Sequence, residues 1–259
     1  LFCPADRPER FEKAARAADV VLLDLEDGVA PERRDLARAA IRDAELDPDT
    51  TMIRLNPVGT DDHHRDLDAV RATNYRKVML AKTSSADEVS GLAPFEVLAL
   101  CETPRGVRAA HDIAACSNTI ALMWGSEDLV AALGGSASRH ADGSLRDLAR
   151  YARAKVLVDA GAEGVGTLDT VYLDFGDLEG FRREAQDAAA MGFMATPCVH
   201  PSQVAVVREA YRPSERQVAF ARDVLAAVES HGGVTRIGDV MVDGPVVAQA
   251  RQVLRRAGE

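Results

Sequence analysis

Val20-Val21-Leu22-Leu23-Asp24-Leu25-Glu26-Asp27-Gly28 is an apolar run that ends in three carboxylates and a glycine. A strand buried on both faces reads as a continuous apolar run, so the first four residues describe a strand inside a parallel sheet. Three acids at the mouth of such a strand repel one another and lose hydration unless a cation or a polar ligand shares the space. A single occurrence would read as a strand exit with solvated acids, but the pattern recurs.

Val97-Leu98-Ala99-Leu100-Cys101-Glu102-Thr103 and Ile120-Ala121-Leu122-Met123-Trp124-Gly125-Ser126-Glu127-Asp128 are also apolar strands that end in acid. Thr51-Met52-Ile53-Arg54-Leu55-Asn56 and Lys77-Val78-Met79-Leu80-Ala81-Lys82 end in base, so five strand ends carry charge. Between them lie stretches of helical period with helix start signals: Pro31 to Asp43, Asp62 to Thr73, Pro104 to Ala115 and Leu145 to Ala160. Gly164 to Val171 reads as a weaker strand, Leu178 to Met191 as a helix, Phe193 to Val199 as an apolar strand and Pro201 to Tyr211 as a helix. With Phe2 to Pro4 in front, the expected strands number eight.

Eight alternating units predict an α/β fold of the TIM (β/α)8 barrel type over residues 1–212, a size that a compact barrel can occupy. The charged strand ends then converge on one mouth. In a doubly wound sheet they would be spread along an edge and function would gather at one switch point, and no Gly-rich phosphate fingerprint follows the early strands. Residues 213–259 change character: a long amphipathic helix through Ser230, a break at His231-Gly232-Gly233, an extended stretch to Val242 and a last helix from Val246 to Ala257. A closed barrel does not need these for its core, so they read as a C-terminal helical arm. Gly134 to Gly143 is the most irregular segment and a candidate lid.

At 259 residues and 47% hydrophobic, the chain can bury one large core. Its formal charge of −10 argues against nucleic acid or an anionic membrane surface as partner. No apolar run reaches the ~18 residues that a membrane span needs. Cys3, Cys101, Cys116 and Cys198 show neither CxxC spacing nor paired histidines, which argues against a zinc or disulfide framework and fits a cytoplasmic protein. His63 and His64 read as solvated residues of a surface helix, and His200 as a structural residue at a helix start.

Pro4-Ala5-Asp6-Arg7-Pro8-Glu9-Arg10, Leu23 to Val29, Arg54-Leu55-Asn56-Pro57, Glu102-Thr103, Gly125-Ser126-Glu127-Asp128-Leu129, His200-Pro201-Ser202-Gln203 and Met241-Val242-Asp243-Gly244-Pro245 occur in that order across nearly the whole chain. Together they resemble the citrate lyase beta subunit-like branch of the HpcH/HpaI aldolase family, and within it the citramalyl-CoA and malyl-CoA lyases. The resemblance implies a TIM barrel, a homotrimer, Mg2+ as cofactor and a CoA thioester of a hydroxy acid as substrate. Where many relatives have Leu-Pro-Lys this chain has Leu80-Ala81-Lys82, and a lysine that often precedes the strand leading to His200 is absent.

By the same resemblance Glu102 and Asp128 bind Mg2+, which is held through one or two carboxylates plus water and substrate oxygens. Arg54 contacts the substrate oxygens, for which a planar fork of donors suits a carboxylate or oxyanion. Glu102, Gly125, Ser126 and Glu127 line the substrate, and Glu26, Asp27 and Lys82 stand behind the metal and its waters. Asp243 supplies the proton for the enolate, reaching in from a neighbouring subunit; from the residues alone it reads as an Asp-Gly turn before Pro245. The implied reaction is Mg2+-dependent carbon–carbon cleavage or formation of a short hydroxyacyl-CoA, giving acetyl-CoA and a 2-oxo acid. A citrate lyase beta subunit acting with partner subunits and an acyl carrier protein, a non-catalytic binding relative and an aldolase of free 2-oxo acids are the other readings.

Overall fold

The computed structural model describes residues 1–231 and 234–259, in two units, Leu1–Val206 and Val207–Glu259. In the first, the opening apolar run forms β2 (Val21–Asp24), all four residues of which are buried. It lies between β1 (Phe2–Pro4) and β3 (Thr51–Leu55), and the sheet continues through β4 (Lys77–Leu80), β5 (Glu96–Cys101), β6 (Thr119–Trp124) and β7 (Gly166–Leu168). Every pairing is parallel and every neighbour consecutive. The result is a curled seven-stranded sheet with no reversal of strand order, and hence no switch point of the doubly wound kind.

Side-chain alternation along the strands explains how core and charge share one surface. Leu22, Met52, Leu98, Leu100, Ala121 and Met123 belong to one apolar cluster of the sheet. Two residues further along the same face come Asp24, Arg54, Glu102 and Gly125. The parallel register sets Asp24 beside Arg54, so the apolar cluster forms the floor beneath the charged strand ends.

The helices of this unit are α1 (Phe11–Ala17), α2 (Arg34–Asp43), α3 (Asp61–Arg71), α4 (Ala86–Ser90), α5 (Pro104–Ala114), α6 (Ser126–Ala132), α7 (Asp147–Glu163) and α8 (Leu178–Met191); α9 (Ser202–Tyr211) crosses the division between the units. Thr60, Ser85, Thr103 and Asp177 cap the N-termini of α3, α4, α5 and α8 with side-chain oxygens. Gly164 and Gly192 end α7 and α8 at φ of 71° and 111°, where a side chain would be strained. Pro31–Arg33 forms a 3-10 turn before α2, and the short helix α4 has no counterpart in the expected elements.

The eighth expected strand, Phe193 to Val199, does not form. One parallel bridge joins Leu168 to Ala195, Met194 N donates to Thr167 O at 2.8 Å, and Phe2 N donates to Cys198 O at 2.9 Å. Pro197 has no N–H to give a ladder, which limits the segment to isolated bonds. The seventh strand is also shorter than Gly164 to Val171, and Cys198, although buried, lies outside any strand. All four cysteines are free thiols.

A second correction concerns His63, which is buried rather than solvated. Its Nδ1 lies 2.8 Å from Asn56 O, and Asn56 in turn donates to Asp66 and to Leu25 O. His64 is exposed.

The second unit contains α10 (Glu215–His231), an antiparallel hairpin of β8 (Thr235–Ile237) and β9 (Val240–Val242), and α11 (Gly244–Ala257). Ala221, Val224, Val242 and Ala250 form its buried centre. The hairpin replaces the single extended stretch expected there, and the expected break at Gly232-Gly233 lies outside the described residues. Among the described residues no helix is long and apolar enough to cross a membrane.

Candidate active site at the strand ends

Asp24 organises the loop that follows β2. Its Oδ1 accepts from Glu26 N and its Oδ2 from Gly28 N, both at 2.9 Å. A Cβ on Gly28 would stand 2.3 Å from Asp24 Oδ2, so the glycine that ends the LEDG string is required by this close approach. On the same carboxylate Arg54 makes a two-point pair, Nε to Oδ1 at 2.6 Å and Nη2 to Oδ2. Its remaining Nη1 reaches Glu26 Oε2 at 3.1 Å. The guanidinium lies over the Phe2 ring, 4.9 Å from the centroid. Burial opposes the charge of Arg54, but the hydrogen bonds and charge of Asp24 outweigh it and hold the group above its ordinary range.

Lys82 stands at the centre of the remaining acids. Its Nζ pairs with Glu26 and lies 3.1 Å from Asp27, 3.3 Å from Asp128 and 3.9 Å from Glu102. Burial lowers its proton affinity, and Glu26 with the other carboxylates more than reverses this. Glu102 is buried between β5 and α5 and is pushed up to about 8, by burial first and by the charge of Asp128 second. Gly125 lets the β6–α6 turn press against it: a Cβ there would sit 2.6 Å from Glu102 Oε2 and 2.8 Å from its Cβ.

Seven of the sequence-predicted residues, Glu26, Asp27, Arg54, Lys82, Glu102, Asp128 and, through its contact with Glu102, Gly125, therefore come together. Ser126 and Glu127 line the same cavity, of about 400 Å³, with Arg54, Glu102 and Asp128. The rest of its lining is largely apolar, with Leu100 and Met123 in the floor and Phe2, Val171, Leu173 and Val199 beside them. Glu127 accepts from Ser126 Oγ at 3.0 Å and from Ser138 Oγ, which fastens the irregular 134–143 segment to the rim. Asp243 belongs to the second unit, where its Oδ1 accepts from Val246 N at 3.3 Å and caps α11.

Five carboxylates, Asp24, Glu26, Asp27, Glu102 and Asp128, thus face two cations, Arg54 and Lys82. This excess of oxygen donors suits a hard divalent cation. Among the described residues no three His, Cys, Asp or Glu side chains form a closed metal cage. Glu102 and Asp128 line one cavity, and two carboxylates with water and substrate oxygens are enough to hold Mg2+.

The His200-Pro201-Ser202-Gln203 string is structural. Gln203 Oε1 accepts from Val199 N and His200 N at 2.8 and 3.1 Å, and Ser202 N donates to His200 Nδ1. Sequence reasoning missed Phe2, Ser138, Asp169 and Thr170. Asp169 carried the one available signal, because it is a charged residue inside the expected strand Gly164 to Val171.

Comparison with known proteins agrees with this geometry. The sequence pattern described as HpcH/HpaI aldolase/citrate lyase matches residues 1–201. A citrate lyase subunit beta-like protein of Mycobacterium tuberculosis is 56% identical, over 100% of this chain and 95% of its own length. The mitochondrial citramalyl-CoA lyase of Homo sapiens is 29% identical, over 99% of this chain and 84% of its own. A crystal structure of M. tuberculosis CitE in complex with magnesium, acetoacetate and coenzyme A superposes with a TM-score of 0.97 at 56% identity, covering 100% of this chain and 97% of that one. With the family pattern matched over residues 1–201 and a relative 56% identical over the whole of this chain, the chain belongs to the HpcH/HpaI aldolase/citrate lyase family.

Proposed function

We propose that the protein is a Mg2+-dependent carbon–carbon lyase that cleaves, or in reverse forms, a short hydroxyacyl-CoA of the citramalyl-CoA or malyl-CoA type, with acetyl-CoA and a 2-oxo acid on the other side. The observation that carries this is the cavity itself, which brings Glu102, Asp128 and Arg54 together with an apolar lining. Glu102 and Asp128 would hold Mg2+, which supplies Lewis-acid polarisation of the oxygens of the hydroxy or oxo acid.

The chain's own residues do the rest. Arg54, held by Asp24 through Nε and Nη2, lines the cavity and would offer its remaining N–H groups to the substrate oxygen that gains negative charge. Ser126, Glu127 and Gly125 bound the oxo acid, and Lys82 and Asp27 offset and orient the acids and waters around it. In the cleavage direction the hydroxyl proton would pass to water in the open cavity, from which the Asp243 carboxyl is reprotonated, and that carbon becomes the carbonyl of the 2-oxo acid. The electron pair of the broken bond passes to the thioester as its enolate, and Asp243 returns a proton to the enolate carbon.

Asp243 would come from a neighbouring subunit, with the C-terminal arm serving the assembly of a cytoplasmic homotrimer. Within each subunit the segment around Ala195 and Cys198, bonded to β7 on one side and β1 on the other, would complete the barrel.

A second reading, a citrate lyase beta subunit acting on a carrier-bound citryl group, draws on the name of the 56% identical relative. A citryl group brings an extra carboxylate, whereas the lining beyond the charged strand ends is largely apolar: Phe2, Val171, Leu173 and Val199. The test is an assay of the purified protein alone with citramalyl-CoA, malyl-CoA and citryl-CoA, with Mg2+ and then with excess EDTA. Mg2+-dependent release of a 2-oxo acid from one of the first two supports the proposal. Inactivity on all three would move the assignment to a carrier-bound substrate.

A further inference from the structure

Asp169 and Thr170 follow β7 and have no role in the chemistry above, yet they hold the turn that carries it. Asp169 is fully buried, and its carboxylate accepts from Trp124 Nε1 at 2.7 Å, Arg153 Nη2 at 2.8 Å, Thr170 N at 2.9 Å and Arg153 Nε at 3.1 Å. Three of these donors meet Oδ1 and one meets Oδ2, so the buried carboxylate is held by the protein on both oxygens. Trp124 is the last residue of β6, and Gly125, Ser126, Glu127 and Asp128 follow it directly. On the other side of Gly125, Thr170 Oγ1 accepts from Ser126 N at 3.3 Å and lies 3.4 Å from Ser126 Oγ.

The β6–α6 turn is therefore tied to the end of β7 both before and after Gly125. Gly125 is also the residue whose backbone presses on Glu102. A shift of this turn by a few tenths of an ångström would carry Asp128 with it and change the space left to Glu102. Both carboxylates assigned to Mg2+ thus depend on the same anchored turn.

We infer that Asp169, acting through Trp124 and Thr170, is a positioning residue that sets the separation of Glu102 and Asp128 and so the affinity of the site for Mg2+. The inference rests on the functional reading above. It adds a buried group, outside the cavity lining, on which metal affinity depends.

Asp169→Asn removes the charge opposite buried Arg153 and lowers stability, so Trp124→Phe and Thr170→Val are the decisive variants. Trp124→Phe removes the Nε1 donor and leaves the Asp169–Arg153 pair in place. Thr170→Val removes the hydroxyl at nearly constant shape. Mg2+ binding to the folded full-length proteins is measured by titration calorimetry beside their melting curves.

The expected result is about 10-fold weaker Mg2+ binding in each variant, the lower end of the range for residues that orient metal ligands, with Thr170→Ser restoring native affinity. Trp124 is the only tryptophan of the chain. In the Thr170→Val protein its emission therefore reports directly whether Mg2+ still reaches the turn, and the emission change should shift to the same higher Mg2+ concentration. Native Mg2+ affinity in both variants, even with lowered melting temperatures, is what a purely structural role gives and would overturn the inference alone. Absence of Mg2+ binding by the native protein would remove the functional reading and this inference with it.

Discussion

Lys82 donates its backbone N–H to Glu102 Oε1 at 3.1 Å, and it does so from a left-handed conformation, φ 52°, that a residue with a side chain seldom adopts. The same residue brings its ammonium to 3.9 Å from that carboxylate. Glu102 is thus met by Lys82 through both main chain and side chain, and burial still keeps its proton affinity high.

The Glu102→Gln substitution follows from that balance. In the metal-free native protein the Glu102 carboxyl is raised from 4.5 to about 8. Between those values the folded state keeps a proton that the unfolded chain has released, so stability falls as pH rises through this window. Glu102→Gln should flatten that part of the profile and raise the melting temperature of the metal-free protein at pH 8. It should also abolish stabilisation by Mg2+. Melting curves from pH 5 to 9 with and without Mg2+ check both, and a Mg2+-induced shift retained in the variant would defeat the metal assignment.

Arg54→Lys keeps the positive charge but loses the planar fork. Removing one oxyanion donor costs about 100- to 1,000-fold in kcat, and a loss at the lower end of that range is expected here with KM changed much less. Steady-state kinetics on citramalyl-CoA separate the two, and an unchanged kcat would leave Arg54 as a structural partner of Asp24.

Asp24→Ala leaves Arg54 buried with only its longer contact to Glu26. Breaking a buried ion pair from one side costs about 3–5 kcal/mol, which denaturant unfolding monitored by far-UV circular dichroism would detect. A cost below ~1 kcal/mol would show that the pair adds little to folding.

Asp243→Asn should leave binding of a 2-oxo acid nearly intact while blocking turnover. If Asp243 serves a neighbouring subunit, then mixing the Asp243→Asn and Arg54→Ala proteins and reassembling them restores part of the activity. Verified mixed oligomers that stay inactive would place the proton donor within the subunit that binds substrate.

Much of this was readable in the chain before folding. The apolar runs ending in charge located β2 to β6, and Leu178–Met191 is helical over the range its period marks. Tertiary context decided the exceptions. The apolar stretch before His200 has strand composition, but Pro197 leaves it without a continuous ladder. His63 lies on a helix of low apolar content, yet Asn56 meets its ring in the interior.

What the sequence determined by itself was which strands end in charge and to which family the chain belongs, because apolar runs and their charged ends are local properties of a chain. Only the tertiary structure decided who pairs with whom: Arg54 with Asp24 and Glu26, Lys82 with the other acids, and Asp169 with Trp124 and Arg153. Those pairings depend on the register between strands and on burial supplied by residues far away in the chain, and Coulomb and hydrogen-bond energies become selective only once water has been excluded from the space between the groups.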